Sequence, residues 1–338
     1  MREEILIPND SFFPWRKKAW DLFDQIGFPK EAFQYVPKIE IPLPEEMSIL
    51  IPPLCIPLSE AMRTYGLFLQ NRLAKLVKEE TDPLTLLNLA FQKEGLFGYI
   101  PAGKEESLEI TASPRTMIYV GQNSTLHLKH RHSNVPFANL AIDLVLDKGA
   151  TCVLSDVAEG DLRFLSVRAS LKRDSKLTTR FYSEGGTVHR NSVRVQLLEE
   201  NSEALLQGLW RLKETKQCHT HALVEHLAPH TRSRQHFKGV LQGKSRSSFE
   251  GKIYVHPSAQ KTEAYQLNNN LLLSDEAKAF SKPNLEIFAD DVKASHGSTT
   301  AQLNAEDLFY LRARGLPLEE AQTFLVEGFC KELAECLP

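Results

Sequence analysis

The stretch Val193-Arg194-Val195-Gln196-Leu197-Leu198-Glu199-Glu200-Asn201-Ser202 decides the fold. Val193, Val195 and Leu197 alternate with Arg194 and Gln196, the two-residue period of a strand with one buried face. Glu199 to Ser202 then supplies polar turn chemistry. Outward from this stretch the pattern repeats: Leu126 and Leu128 alternate with His127 and Lys129. Polar breaks fall at Asp147-Lys148-Gly149, at Lys172-Arg173-Asp174-Ser175 and near His230-Thr231. Breaks about 26–29 residues apart lie in the window that signals stacked repeats. Asn268-Asn269-Asn270, followed by Leu271-Leu272-Leu273, suits a solenoid in which asparagine side chains bond along the stacking axis. Spacing alone leaves a β-sandwich of more than a dozen strands open as the alternative.

Both flanks of this region read as helix. Asn9, Asp10 and Ser11 offer N-caps ahead of Pro14, and Trp15, Ala19, Leu22, Phe23 and Ile26 fall on one helical face ending at Gly27 and Pro29. Pro42, Pro44, Pro52, Pro53 and Pro57 make the stretch from Ile39 to Pro57 extended linker or edge structure. Helical patterns follow over 58–78 and 83–93. Past the β region, Asn304 caps a turn that holds Leu308 and Leu311 and ends at Gly315. Pro317 opens a longer helix with a stripe of Leu318, Ala321, Phe324, Leu325, Phe329 and Leu333. Such a stripe either caps the open end of a solenoid or docks a partner. The expected organisation is a helical region with a Pro-rich linker over 1–95, a β core over 96–303 and a helical region over 304–338.

The 338 residues carry 40 Lys+Arg against 43 Asp+Glu, a formal charge of -3, so no global basic field invites nucleic acid. No apolar run approaches the roughly 20 residues of a membrane-spanning helix. The start Met1-Arg2-Glu3-Glu4 has no secretory character, and a cytoplasmic location is expected. Cys55, Cys152, Cys218, Cys330 and Cys336 are scattered and never form a CxxC pair, against a disulfide framework or a metal site built from this chain alone.

The candidate chemistry is sparse. His219 and His221 fall on one face of a strand, a spacing that can hold a metal, with His226 and His230 close behind. Without cysteine or carboxylate in register, a stacking histidine row is the stronger reading. His127, His130 and His132 form a looser group that reads as a polar strand face. Gly185-Gly186 is a weak signal, and Gly239 to Ser245 is one residue short of a phosphate loop and sits in strand-like surroundings, so nucleotide binding is rejected. Asp290-Asp291, adjacent, face opposite sides if they lie on a strand and make no carboxylate dyad. His296, in Ala294-Ser295-His296-Gly297-Ser298, stands at the junction of the last repeat and the C-terminal helices. On composition it reads as structural.

The segments Glu263-Ala264-Tyr265-Gln266-Leu267-Asn268-Asn269-Asn270-Leu271-Leu272-Leu273-Ser274 and Lys282-Pro283-Asn284-Leu285-Glu286-Ile287-Phe288-Ala289-Asp290-Asp291-Val292-Lys293, followed by Ser295-His296-Gly297, resemble hallmarks of the SufB/SufD family. Leu308 to Gly315 is similar to the family's exit into its C-terminal helices. The match is dense over about the last third of the chain and thin before it. The resemblance implies a right-handed parallel β-helix between helical regions. It also implies a non-catalytic scaffold in the SUF machinery for iron–sulfur cluster assembly, pairing with a SufB-type subunit and docking a SufC-type ATPase. Leu311 stands where SufB-type chains carry cysteine, and Gly297 follows the histidine, which favours the SufD branch. By resemblance, His296 becomes a candidate ligand for a transient cluster shared with the SufB-type partner. Leu311, Leu318, Phe324 and Leu325 become candidate SufC-docking residues. Ala294 departs from the cysteine usual at that place. The alternatives are a stand-alone β-helix enzyme acting on carbohydrate, which would need paired carboxylates on adjacent turns, and a SufD-like homodimer.

Overall fold

A computed structural model describes residues 12–27, 49–111, 113–131 and 137–334. The caps expected at Asn9, Asp10 and Ser11 lie outside the described residues, as do Pro29, Pro42, Pro44, His132 and Cys336. Strand β1 (Cys55–Pro57) pairs antiparallel with β2 (Leu96–Ile100). Beyond β2 the same sheet continues, all parallel, through β4 (Arg115–Val120), β6 (Phe137–Leu146), β8 (Leu162–Leu171), β10 (Val188–Leu197), β12 (Gln217–His226), β14 (Arg246–Val255) and β16 (Lys278–Ile287). The second sheet is parallel throughout. It runs β3 (Glu105–Ile110), β5 (Thr125–Arg131), β7 (Thr151–Ala158), β9 (Lys176–Ser183), β11 (Glu203–Leu212), β13 (Arg232–Leu241), β15 (Thr262–Leu272) and β17 (Val292–Gln302). Successive strands alternate between the two sheets, so the chain winds into a mainly β solenoid with helices at both ends, as the sequence led one to expect.

The alternation read at Val193 sets this winding. Val193, Val195 and Leu197 are fully buried between the sheets. Val193 lies over Val167 of β8 and under Ala222 of β12, offsets of 26 and 29 residues. From β4 to β14, every turn out of the even-numbered sheet passes through a residue of positive φ: Asn123, Gly149, Asp174, Asn201, His230 and Lys261, all between 55° and 67°. Asn, Asp and Gly tolerate this left-handed conformation best, which explains the spacing of the breaks. The asparagine run bonds differently from the expected axial stack. Asn268 is in register with Phe237 and Ser298, and Asn269 with Lys238 and Thr299, so no asparagine meets another across turns. Instead Asn268 donates to the Phe237 carbonyl, Asn270 donates to Asn268 Oδ1, and Asn269 donates to Thr299 Oγ1.

The N-terminal helices α1 (Phe13–Ile26), α2 (Leu58–Thr64), α3 (Gly66–Glu79) and α4 (Pro83–Phe91) cover the outer face of the first sheet's early strands. The helical pattern over 58–78 breaks into two at Tyr65, just before Gly66. On α1 the buried residues are Arg16, Ala19, Trp20 and Phe23, and Ile26 is exposed. Ion pairs pin these helices to the sheet: Arg168 donates to both carboxylate oxygens of Glu80, at 2.7 and 3.0 Å, and Arg190 meets Asp82 at the N-cap of α4. Burial alone would raise the Asp82 pKa, but the Arg190 charge and hydrogen bond outweigh it and hold the carboxyl low.

After β17 come α5 (Ala305–Ala313), capped by Asn304, and α6 (Leu318–Ala334). The stripe on α6 does not close the open end. Ala321, Cys330 and Leu333 are buried, and the helix lies along the outer face of β11 and β13 against Leu209 and Val240. Arg211 grips Glu327 with two bonds of 2.9 and 2.8 Å, and Lys238 meets Glu332 at 3.1 Å.

Candidate functional site

The two ends of the solenoid are treated differently. At the first end β1 lies beside β2, and Cys55 joins the core there, with Ile49 packed against it. The edge strand β3 carries Glu105, Glu106 and Glu109, charges that discourage strand addition. At the other end, no described strand pairs with the outer edges of β16 or β17. Their inner faces are also uncovered: Leu285, Val292 and Ala294 are half-buried, and Ile287 is exposed.

The two open edges are not equivalent. Lys278 donates its N–H to the Ser245 carbonyl and Phe288 to that of Val255, so even-numbered residues of β16 bond to β14. Pro283 therefore falls among the residues whose backbone faces outward, where a missing N–H leaves the inner ladder whole. It also leaves a gap in the outer edge. On β15, Glu263 and Leu273 donate to β13, so the even-numbered residues face β17. By the parallel register, Val292, Ala294, His296, Ser298, Thr300 and Gln302 then present their N–H and C=O to the open side. β17 has no proline, and its free edge is unbroken.

His296 stands mid-strand in β17, not at a junction with the helices. It shares the inner face with Val292 and Ala294, in register with Gln266 of β15, and is exposed because no further turn covers it. Among the described residues no group of three or more His, Cys, Asp or Glu is arranged to hold a metal. Cys55, Cys152, Cys218 and Cys330 are buried and unpaired. Burial pushes the thiols of Cys152 and Cys218 up to about 12 and that of Cys55 to about 11, so none is a ready thiolate.

The other histidines are placed by structure. His219 has both ring nitrogens engaged, Nδ1 with Ser248 Oγ at 2.7 Å and Nε2 with Gln217 Oε1 at 3.2 Å. His226 is likewise held by Thr231 Oγ1 and Ser233 Oγ. Burial lowers both pKa values to about 3, with Arg190 adding to the effect at His219. His230 is one of the left-handed turn residues. His127 and His130 face opposite sides of β5: His127 is exposed, whereas His130 is buried against Asp156 at 2.6 Å. Asp290 and Asp291 sit in the turn between β16 and β17, not on a strand. Gly239 is on β13, and Gly243 is a positive-φ turn before β14.

The remaining candidates lie on a second surface. Leu318 and Phe324 are exposed and Leu311 and Leu325 half-buried. Phe309 and Tyr310, 74% and 57% exposed, add to the uncovered apolar side chains of α5 and α6. Phe309 and Leu318 line one surface depression between the two helices. Sequence reasoning missed the outer-face ladder Lys176–Glu203–Arg232–Glu263–Lys293. Its contacts run 3.4, 3.0, 3.9 and 3.3 Å, one residue per turn. The signal was there, as alternating charges spaced like the breaks. It becomes visible only once the register is known.

The profile of the SufBD core domain of the SUF system for FeS cluster assembly matches residues 102–329. The iron–sulfur cluster assembly protein SufD of Escherichia coli is 38% identical over 167 residues, 49% of this chain and 40% of that protein. An iron–sulfur cluster assembly SufBD family protein of Synechocystis is 27% identical over 300 residues, 80% of this chain and 66% of that protein. One of Mycobacterium leprae is 35% identical over 188 residues, covering 53% and 48%. The chain thus spans between two fifths and two thirds of the length of these curated relatives.

Proposed function

This chain belongs to the SufBD family of iron–sulfur cluster assembly proteins, and on that premise we propose that it is a non-catalytic, SufD-like scaffold subunit. In this reading the open end pairs with a SufB-type subunit, α5 and α6 dock a SufC-type ATPase, and no nucleotide binds the chain itself. The three-part division at about residues 95 and 303 then separates a helical brace, a β core and a docking arm. The complex works in the cytoplasm.

The observation that carries this reading is the asymmetry of the ends. One is closed by β1 and by charge, and the other offers an unbroken edge with a histidine on its uncovered inner face. A strand added to β17 extends the sheet and buries Leu285, Val292 and Ala294 in one step. A neutral imidazole there ligates iron alongside thiolates, which is the place the proposal gives His296 for a transient cluster. The thiolates come from the partner, because the described cysteines are buried with raised pKa values and position 294 is alanine. Against a carbohydrate enzyme, the outer-face carboxylates Glu203 and Glu263 are each flanked by basic side chains, not by one another.

Co-expression with a SufC-type ATPase and a SufB-type subunit tests the proposal. The expected result is a stable complex containing all three chains. Three folded proteins that elute separately, or this chain eluting only as a homodimer with the ATPase, would remove the heteromeric reading.

A further inference from the structure

Gln266 is 3% exposed and in register with His296 on the inner face of the solenoid, one turn beneath it. Adjacent turns of a parallel sheet are about 4.8 Å apart, within reach of a glutamine amide and an imidazole. The orientation of the Gln266 amide is fixed from below. Its Nε2 donates to Gln235 Oε1 at 2.8 Å, and Gln235 Nε2 in turn donates to the Lys252 carbonyl at 3.3 Å. With Nε2 committed downward, the remaining polar atom of Gln266 is Oε1, an acceptor. That oxygen is buried and has no hydrogen-bond partner among the described residues. Buried acceptors are rarely left unpaired, and an orphan beside a functional side chain calls for an explanation.

We infer that Gln266 is a positioning residue for His296: its Oε1 accepts the proton of one ring nitrogen and so presents the other nitrogen, as a lone pair, to the open end. This inference rests on the reading of His296 as a cluster ligand. The neutral imidazole has two tautomers, and only the nitrogen without hydrogen can bind a metal. An acceptor fixed behind the ring selects one tautomer and one ring plane. Outer partners of this kind typically change metal affinity by 10- to 100-fold when removed. The chain Lys252 carbonyl, Gln235, Gln266 and His296 would run as a polar line through an apolar interior, with His296 as its exposed terminus. The hydrogen bond to His296 is absent in the free chain and is expected to form when the end is covered, since hydrogen bonds of this type often tighten only in the complex.

The test uses the complete complex with 15N-labelled histidine in this chain, before and after cluster loading. In the unloaded wild-type complex, long-range 15N–1H correlations from His296 should show a single tautomer. Gln266→Leu, which keeps the volume but removes the acceptor, should give a mixture of tautomers and a 10- to 100-fold weaker hold on the cluster. Gln266→Glu, which keeps an acceptor, should restore the single tautomer. A thermal melt of each complex separates these effects from loss of folding. The inference is overturned by a wild-type tautomer mixture, by an unchanged single tautomer in Gln266→Leu, or by Gln266→Glu behaving like Gln266→Leu. His296→Ala separates the two layers. If that variant holds the cluster as the wild type does, the ligand reading itself fails. If it loses the cluster while Gln266→Leu changes nothing, only the role of Gln266 fails.

Discussion

A proline placed on β17 should act in opposite ways at adjacent residues. Ser298 faces its N–H to the open edge, whereas Thr299 donates inward to β15. Ser298→Pro removes no hydrogen bond of the isolated chain, and Gly297 before it accepts the extended conformation that precedes proline. In the complex it deletes one interstrand bond, about 1 kcal/mol net, and strands the partner's carbonyl, another roughly 1–3 kcal/mol. The sum of about 2–4 kcal/mol corresponds to about a 30- to 1000-fold weaker Kd for the SufB-type subunit. Thr299→Pro instead removes a β15–β17 ladder bond and strands its acceptor, and should cost about 2–4 kcal/mol of the chain's own stability. The assay is a pair of measurements on each variant: denaturant unfolding of the isolated chain, and calorimetric titration with the partner. Ser298→Pro should leave the first within about 0.5 kcal/mol and weaken the second. Equal destabilisation of the isolated chain by both variants would refute the assignment of the free edge. Unchanged affinity in Ser298→Pro would refute β17 as the pairing strand.

Three further outcomes follow from the packing. His189, His219 and His226 have folded-state pKa values lowered by burial to about 4, 3 and 3. Each is neutral when folded and takes a proton when unfolded below about pH 6.5. Stability should therefore be intact above that pH and fall between about 6.5 and 4, by up to about 1.4 kcal/mol per pH unit for each histidine. Denaturant midpoints unchanged from pH 7 to 5 would contradict this. Glu80→Gln leaves Arg168 buried beside a neutral amide and should cost about 3 kcal/mol in urea unfolding, with the N-terminal helices opening first by hydrogen exchange. Arg211→Ala removes the two bonds to Glu327, and protease nicking of α6 should become faster while that of the solenoid core is unchanged.

What could be read in the sequence was what local chemistry determines. The alternation at Val193 to Leu197 gave the strand and its buried side, and the turn residues gave the repeat, because a left-handed backbone position restricts side-chain choice. The cap at Gly27 was readable for the same reason, and that at Asn304 because its side-chain oxygen accepts the Glu306 N–H at the start of the helix. Facts that depend on register were hidden. His219 and His221 share a face, but only the neighbouring Ser248 and Gln217 show that both nitrogens of His219 are occupied. Pro283 looked like one proline among 18 until the ladder showed its N on the open side. The stripe on α6 was correctly apolar, yet periodicity cannot say whether a helix closes an end or lies along a flank. His296 could be singled out only by resemblance, since nothing local distinguishes a histidine that ends a column of buried amides.

The most direct measurement is the hyperfine spectrum of an iron–sulfur cluster assembled on the complex with 15N-histidine confined to this chain. A directly bonded 15N coupling that disappears in His296→Ala is expected if the open end of this solenoid completes the cluster site. A fully loaded cluster with no 15N coupling would show that the histidine on the last strand is not a ligand and that the site lies elsewhere.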